Sequence, residues 1–197
     1  IHQFMTNHDD VWEYWNKTRR EIPDDINALT DEEIIGLLTQ WEGGVWTGNK
    51  PDKNQILQNI KLLPEIHIVV TRWMMDRVKE CTDDFVKQRW LSSIALTGAI
   101  CEYLSFYLLQ DYIKQKGIFP IIEHSGSLKQ QYDRILLLRK LDLISENERA
   151  DLHSINEIRN QYLHIHTTND STIKNDCLDI IKKMINLLTN HPINHPN

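Results

Sequence analysis

The stretch that decides the fold is residues 82–117, TDDFVKQRWLSSIALTGAICEYLSFYLLQDYIKQKG. Thr82 or Asp83 reads as the residue that opens a long helix, Lys116 as its end and Gly117 as its stop. Phe85, Trp90, Ile94, Leu96, Ile100, Leu104 and Leu108 are too dense for a single apolar stripe. A helix with that pattern is buried on more than one side, so other elements must cover it.

Working outward, GIFPIIEHSGS reads as a loop and residues 128–141 as an amphipathic helix. Ser145 and Glu148 form a capping box that opens a helix reaching about Ile165. The polar run HTTNDS breaks it, and residues 173–188 form a last helix. On the other side, a helical pattern runs from Lys53 towards Val78, with Pro64 as a kink or break. Thr30 and Glu33 make another capping box, with Ile34, Ile35, Leu37 and Leu38 behind it, and that helix stops at Gly43-Gly44. Residues 9–21 carry Val11, Trp12 and Trp15 at helical spacing, ended by Pro23. There is no useful run of β-alternation and no repeat, so the class expected is all-α. The chain divides into an acidic, Trp-containing N-terminal helical extension, 1–80, a helical bundle, 81–190, and a tail, 191–197. His191 and His195 in that tail look disordered.

Composition narrows the function. A hydrophobic fraction of 41% and a charged fraction of 25% suit a globular chain with a real core. No apolar run approaches the roughly 18 residues that span a bilayer, and no secretory signal is read, so no membrane partner is expected. Cys81, Cys101 and Cys177 are odd in number and make no CxxC pair, which argues against a disulfide framework or thiolate zinc. Cys101 reads as a small hydrophobe, and the compartment expected is cytoplasmic. The net charge is −6, and residues 1–60 hold five Lys and Arg against eleven Asp and Glu, while the rest balances. No basic face for long nucleic acid is advertised, so any such contact is local.

Chemistry concentrates in residues 155–166, INEIRNQYLHIH. His164 lies four residues after Asn160, on the same helix face. Arg159 is five residues before His164, about 140° away, and must reach round. His164 and His166 are two apart and point to different sides, which fits a metal poorly; no cofactor is expected. RNA cleavage needs a base for the 2′-hydroxyl, an acid for the leaving oxygen and positive charge for the phosphorane. His serves as base or acid near neutrality, and Arg matches phosphate with a fork of donors. One His cannot do both in one step, whereas a two-fold dimer presenting two copies of this helix supplies both. The alternative is that Arg159 and His164 only complement the dipole of a helix end, each worth about 0.3–1 kcal/mol.

Arg159-Asn160-x-x-x-His164 resembles the Arg-polar-x-x-x-His signature of HEPN domains (higher eukaryotes and prokaryotes nucleotide-binding). Gly98-Ala-Ile-Cys-Glu102-Tyr-Leu resembles the family helix whose acidic residue faces that motif. Helix order matches as well, over about 83–189, and Leu143-Ile144-Ser145 resembles bacterial members found beside restriction and defence systems. The resemblance implies an up-and-down helical bundle that forms a homodimer along the motif helices. In active members it also implies metal-independent endoribonuclease activity that leaves a cyclic phosphate, in a toxin or phage-defence setting. By position, Arg159 holds the scissile phosphate, His164 is the acid–base residue, Asn160 orients His164 and Glu102 orients Arg159. Tyr162 and His166 are expected to line the RNA-binding surface, and a regulatory protein partner fits the setting. Toxin members have a Tyr where this chain has His166, so regulation through that Tyr is not expected. Other relatives are silent modules for dimerisation or for binding a nucleotide or partner.

The remaining features have plainer readings. Trp41 and Trp46 with Gly43, Gly44 and Gly48 form a structured loop, with base stacking as the sharper alternative. Trp73, Met74, Met75 and Trp90 read as core or interface, His67 as a satisfied buried His, and His153 as solvent-facing. The acidic N-terminal third packs on the bundle through its tryptophans; the alternative is that it shields the site meant for phosphates. GxxxxGK[ST], GxGxxG, GxSxG and HExxH are all absent.

Overall fold

The computed structural model describes residues 8–42, 52–117, 130–164 and 170–193. Within them lie eight α-helices and no strand: α1 His8–Glu21, α2 Asp31–Glu42, α3 Lys53–Leu62, α4 Arg72–Val86, α5 Trp90–Lys116, α6 Gln131–Lys140, α7 Glu146–His164 and α8 Asp170–Asn190. A single 3-10 turn, Ile26–Ala28, joins α1 to α2. The protein is an all-α helical bundle, as its residue pattern requires.

Helix α5 is the axis, and α4, α6, α7 and α8 pack around it. Its Ile94, Ile100 and Leu104 are buried among Phe85 of α4, Ile135 and Leu138 of α6, Leu152 and Ile155 of α7, and Ile180 and Met184 of α8. Among the described residues α5 is the helix long and apolar enough to cross a membrane, contrary to the sequence expectation. Half of that apolar window is buried inside the fold.

One helix was expected from Thr82 to Lys116, but the chain turns at residues 87–89. Thr82 is a mid-helix residue of α4, its hydroxyl donating to the Val78 and Lys79 carbonyls at 3.0 and 2.9 Å. Gln88 takes a left-handed conformation, φ 62°. Gln88 N–H donates to Phe85 at 3.1 Å and Arg89 N–H to Asp84 at 2.8 Å, the pair of bonds that closes a Schellman turn. No glycine marks this turn, so the sequence pattern runs straight through it. The junction of α6 and α7 repeats the device with Asp142, φ 53°. Gly117, φ 67°, ends α5 as expected.

Pro64 brings a larger departure. After α3 the chain does not resume a helix; residues 63–71 form an extended strap before α4. Pro lacks the N–H a helix needs and pushes Leu63 into an extended conformation, φ −67° and ψ 145°. Ile66, Ile68 and Val70 point inward while His67 and Val69 point out. His67, expected to be buried, is therefore exposed and pairs with Glu65 at 3.2 Å.

Two chain regions fasten this strap. Asn16 of α1, fully buried, donates to the Ile66 carbonyl at 2.9 Å and accepts from its N–H at 2.8 Å. Ile193 N–H donates to the Val69 carbonyl at 2.9 Å, and its side chain is buried. His191 is equally ordered, bonded to Glu148 at 2.9 Å, which corrects the expectation of a disordered tail there. Trp12 and Trp15 are buried, and the Arg19 guanidinium donates to the Leu63 carbonyl at 2.6 Å. The division expected at residue 80 falls inside α4, whose Val78 and Cys81 are fully buried. The Trp46 loop and His195 lie outside the described residues, as does the side chain of Trp41.

Candidate functional site

Helix α7 starts at the capping box read from sequence. Ser145 N–H donates to the Glu148 carboxylate at 2.7 Å, and Glu148 N–H to the Ser145 hydroxyl at 3.2 Å. Burial pushes the Glu148 carboxyl up, but the Ser145 bonds, His191 and Asn190 outweigh it and hold the carboxyl below its usual range. Thus fixed at its start, α7 carries Arg159 on the side that faces α5.

Gly98 and Glu102, one turn apart on α5, receive the Arg159 side chain. A Cβ on Gly98 would lie 2.2 Å from Arg159 Cδ, so the arm crosses α5 where α5 has no side chain. Its Nη1 then donates to Glu102 Oε2 at 3.2 Å. The contact expected between Glu102 and Arg159 is present.

The other oxygen of Glu102 is taken from α6. Arg134 Nη2 donates to Glu102 Oε1 at 2.6 Å and to Gln131 Oε1 at 2.9 Å. Gln131 Nε2 in turn donates to the Ser105 hydroxyl at 3.1 Å. Gly98, Glu102 and Ser105 thus form a polar line down one face of α5, with Arg159 above and Arg134 beneath. Arg134 is only 6% exposed, whereas the Arg159 side chain is 27% exposed and reaches the surface. Sequence reasoning missed Arg134. Its signal was a charge at the inward register of α6, between Gln131, Ile135 and Leu138.

Asn160, next to Arg159, is exposed. His164 is the last residue of α7, one turn beyond Asn160; its side chain and all of His166 lie outside the described residues. Tyr162 is not part of an RNA-binding surface. It is 3% exposed, and its hydroxyl donates to Asp176 of α8 at 2.5 Å. Burial and that bond push its phenol up to about 12. Tyr162 faces the core because the inner face of α7 repeats through Leu152, Ile155, Arg159 and Tyr162.

His153 also departs from expectation. It is half-buried, its ring centroid is 5.0 Å from that of Tyr132, and its Nε2 is buried with no partner among the described residues. Burial, then the nearby Arg149 charge, holds its pKa below the usual histidine value. The three cysteines are buried and free, and burial raises each thiol, Cys81 to about 11. Met74 and Met75 are buried, Trp90 packs on Phe85, and Trp73 stands half-exposed beside Tyr103. No group of three His, Cys, Asp or Glu side chains gathers into a metal site among the described residues.

A groove of about 370 Å³ lies along the seam of α1 and the strap, lined by Trp12, Glu13, Asn16, Ile66, His67, Ile68 and Val69. It shares no residue with the Arg159 cluster. Its ionisable groups are engaged, Glu13 with Arg20 and His67 with Glu65. No family model, no curated protein and no solved structure matches the chain.

Proposed function

We propose that the protein is a metal-independent endoribonuclease of HEPN type that acts as a homodimer in a toxin or phage-defence setting. The observation that carries the reading is Arg159: a guanidinium braced on Glu102, yet open to solvent, on the helix end that bears Asn160 and His164. Arginine in that position suits a phosphate, because it is permanently charged and its Nη2 is not spent on Glu102.

In the reaction proposed, one His164 removes the proton from a ribose 2′-hydroxyl and the oxygen attacks the adjacent phosphorus. Arg159 stabilises the added charge, and the 5′-oxygen departs with a proton from the second subunit's copy of the same histidine. The products are a 2′,3′-cyclic phosphate and a 5′-hydroxyl. Positioned acid–base chemistry of this kind contributes about 10²–10⁴ in rate.

The test is incubation of the purified protein with structured and unstructured RNA in EDTA, beside Arg159→Ala and His164→Ala. Cleavage by the parent alone, with cyclic-phosphate ends, is the expected outcome. Equal behaviour of all three proteins removes the nuclease. A second reading, a non-catalytic module for dimerisation or for binding a partner or nucleotide, is favoured by the exposed Leu163 within the motif and by the exposed Phe106 on α5.

A further inference from the structure

We propose that Arg134 is the residue that leaves Arg159 with charge to offer: it neutralises Glu102 from beneath, so that the cluster is a phosphate-anion site and not a closed ion pair. The inference rests on the endoribonuclease reading for its substrate, RNA phosphate, but its test separates the two.

A salt bridge between Arg159 and Glu102 alone carries no net charge. An approaching phosphate would meet a carboxylate 3.2 Å behind the guanidinium nitrogen. Repulsion from that carboxylate would offset much of the attraction of the arginine. The cluster as built holds two guanidinia and one carboxylate, so one positive charge remains. Arg134 cannot supply that charge to a ligand directly, because its side chain is 7% exposed and bonded to Glu102 and Gln131. It occupies Oε1 and leaves Oε2 to Arg159.

The donors point the same way. Arg159 spends Nη1 on Glu102, while Nη2 makes no hydrogen bond among the described residues. Its Nε is shut off from water with no acceptor among the described residues, a costly arrangement for a polar group. Nη2, neither spent on Glu102 nor buried, is the donor the guanidinium can offer to a phosphate oxygen. Gly98 lets the arm lie close enough to α5 for this orientation to hold. Arg134 is therefore a positioning residue that acts through Glu102.

The experiment measures binding of a 2′-deoxy oligonucleotide, which cannot be cleaved through a 2′-hydroxyl, over a range of salt. Arg134→Gln is expected to weaken binding on the order of tenfold and to lower the salt slope by about 0.7. Adding Glu102→Gln to Arg134→Gln restores the net charge and recovers both quantities. Arg134→Lys stays near the parent, and Glu102→Gln alone binds at least as tightly as the parent while its cleavage falls. A loss in Arg134→Gln that Glu102→Gln does not recover makes Arg134 merely structural and overturns the proposal. So does a parent that fails to bind the oligonucleotide. If Arg134→Gln does not fold, Glu102→Gln alone decides: weaker binding overturns the proposal. Binding that follows this pattern without RNA cleavage removes the nuclease and keeps the anion site. Cleavage with an unchanged KM in Arg134→Gln does the reverse.

Discussion

Arg159 occupies the space in which residue 98 would carry a side chain: a Cβ there would stand 2.2 Å from Arg159 Cδ and 3.0 Å from its Nε. The two residues are 61 positions apart in sequence and on different helices. Their contact fixes how α7 presents its guanidinium.

Gly98→Ala should therefore act through Arg159. Alanine raises helix propensity by about 0.5–1 kcal/mol, but overpacking of this kind costs about 1–3 kcal/mol. A modest net fall in thermal stability is expected, with a large fall in RNA cleavage as the arm leaves Glu102. In an Arg159→Ala background the clash is gone, and the same substitution should stabilise the protein. A four-protein melting cycle checks this coupling; additive effects would contradict it.

Asn16 makes two hydrogen bonds to the backbone of Ile66, all in the interior. Asn16→Ala orphans a buried N–H and a buried carbonyl, each costing about 1–3 kcal/mol. Urea unfolding should show a loss on the order of 2–5 kcal/mol. Asn16→Asp, which sets a buried carboxylate oxygen against the Ile66 carbonyl, should lose at least as much.

Tyr162 predicts an alkaline transition. Its phenol is raised to about 12 in the folded protein, so the stability it contributes is complete below about pH 10, the ordinary tyrosine value. That contribution is lost as pH rises from there through about 12. Tyr162→Phe should lower stability at neutral pH by about 1.5–3 kcal/mol, the usual worth of a bond to a charged group. Its disadvantage relative to the parent should shrink across the alkaline window, as read by circular dichroism.

Glu148 works at the acid end. Its carboxyl is held low in the fold, so its contribution is present above the usual carboxylate range and vanishes as pH falls through the lowered value. Glu148→Gln should trail the parent near pH 7 and converge with it in acid. Ser145→Ala, which removes the other half of the cap, should cost about 1 kcal/mol at neutral pH.

The helical class and both capping boxes could be read from the sequence because their signals are local. Thr30 N–H meets the Glu33 carboxylate at 2.8 Å, as the spacing says it must. The break at Gln88 was not legible, since a left-handed residue other than glycine leaves no compositional mark. The strap was misread because Ile66, Ile68 and Val70 alternate over too few residues to compete with the helical pattern around them. At the site, Glu102 and Arg159 could be paired through motif and helix order. Arg134 was hidden because a buried charge is explained only by its partner, which lies 32 residues away. Tyr162 was placed by its neighbourhood in sequence, whereas one residue along a helix turns a side chain by about 100°.

The strap also determines how the protein would respond to force. Asn16, early in the described chain, and Ile193, at its close, both grip residues 66–69. A tether pulled from either side would load this short seam before it strained the helices around α5. Mechanical failure would begin there, far along the chain from the points of attachment, while the Arg159 cluster stayed assembled until the seam gave way.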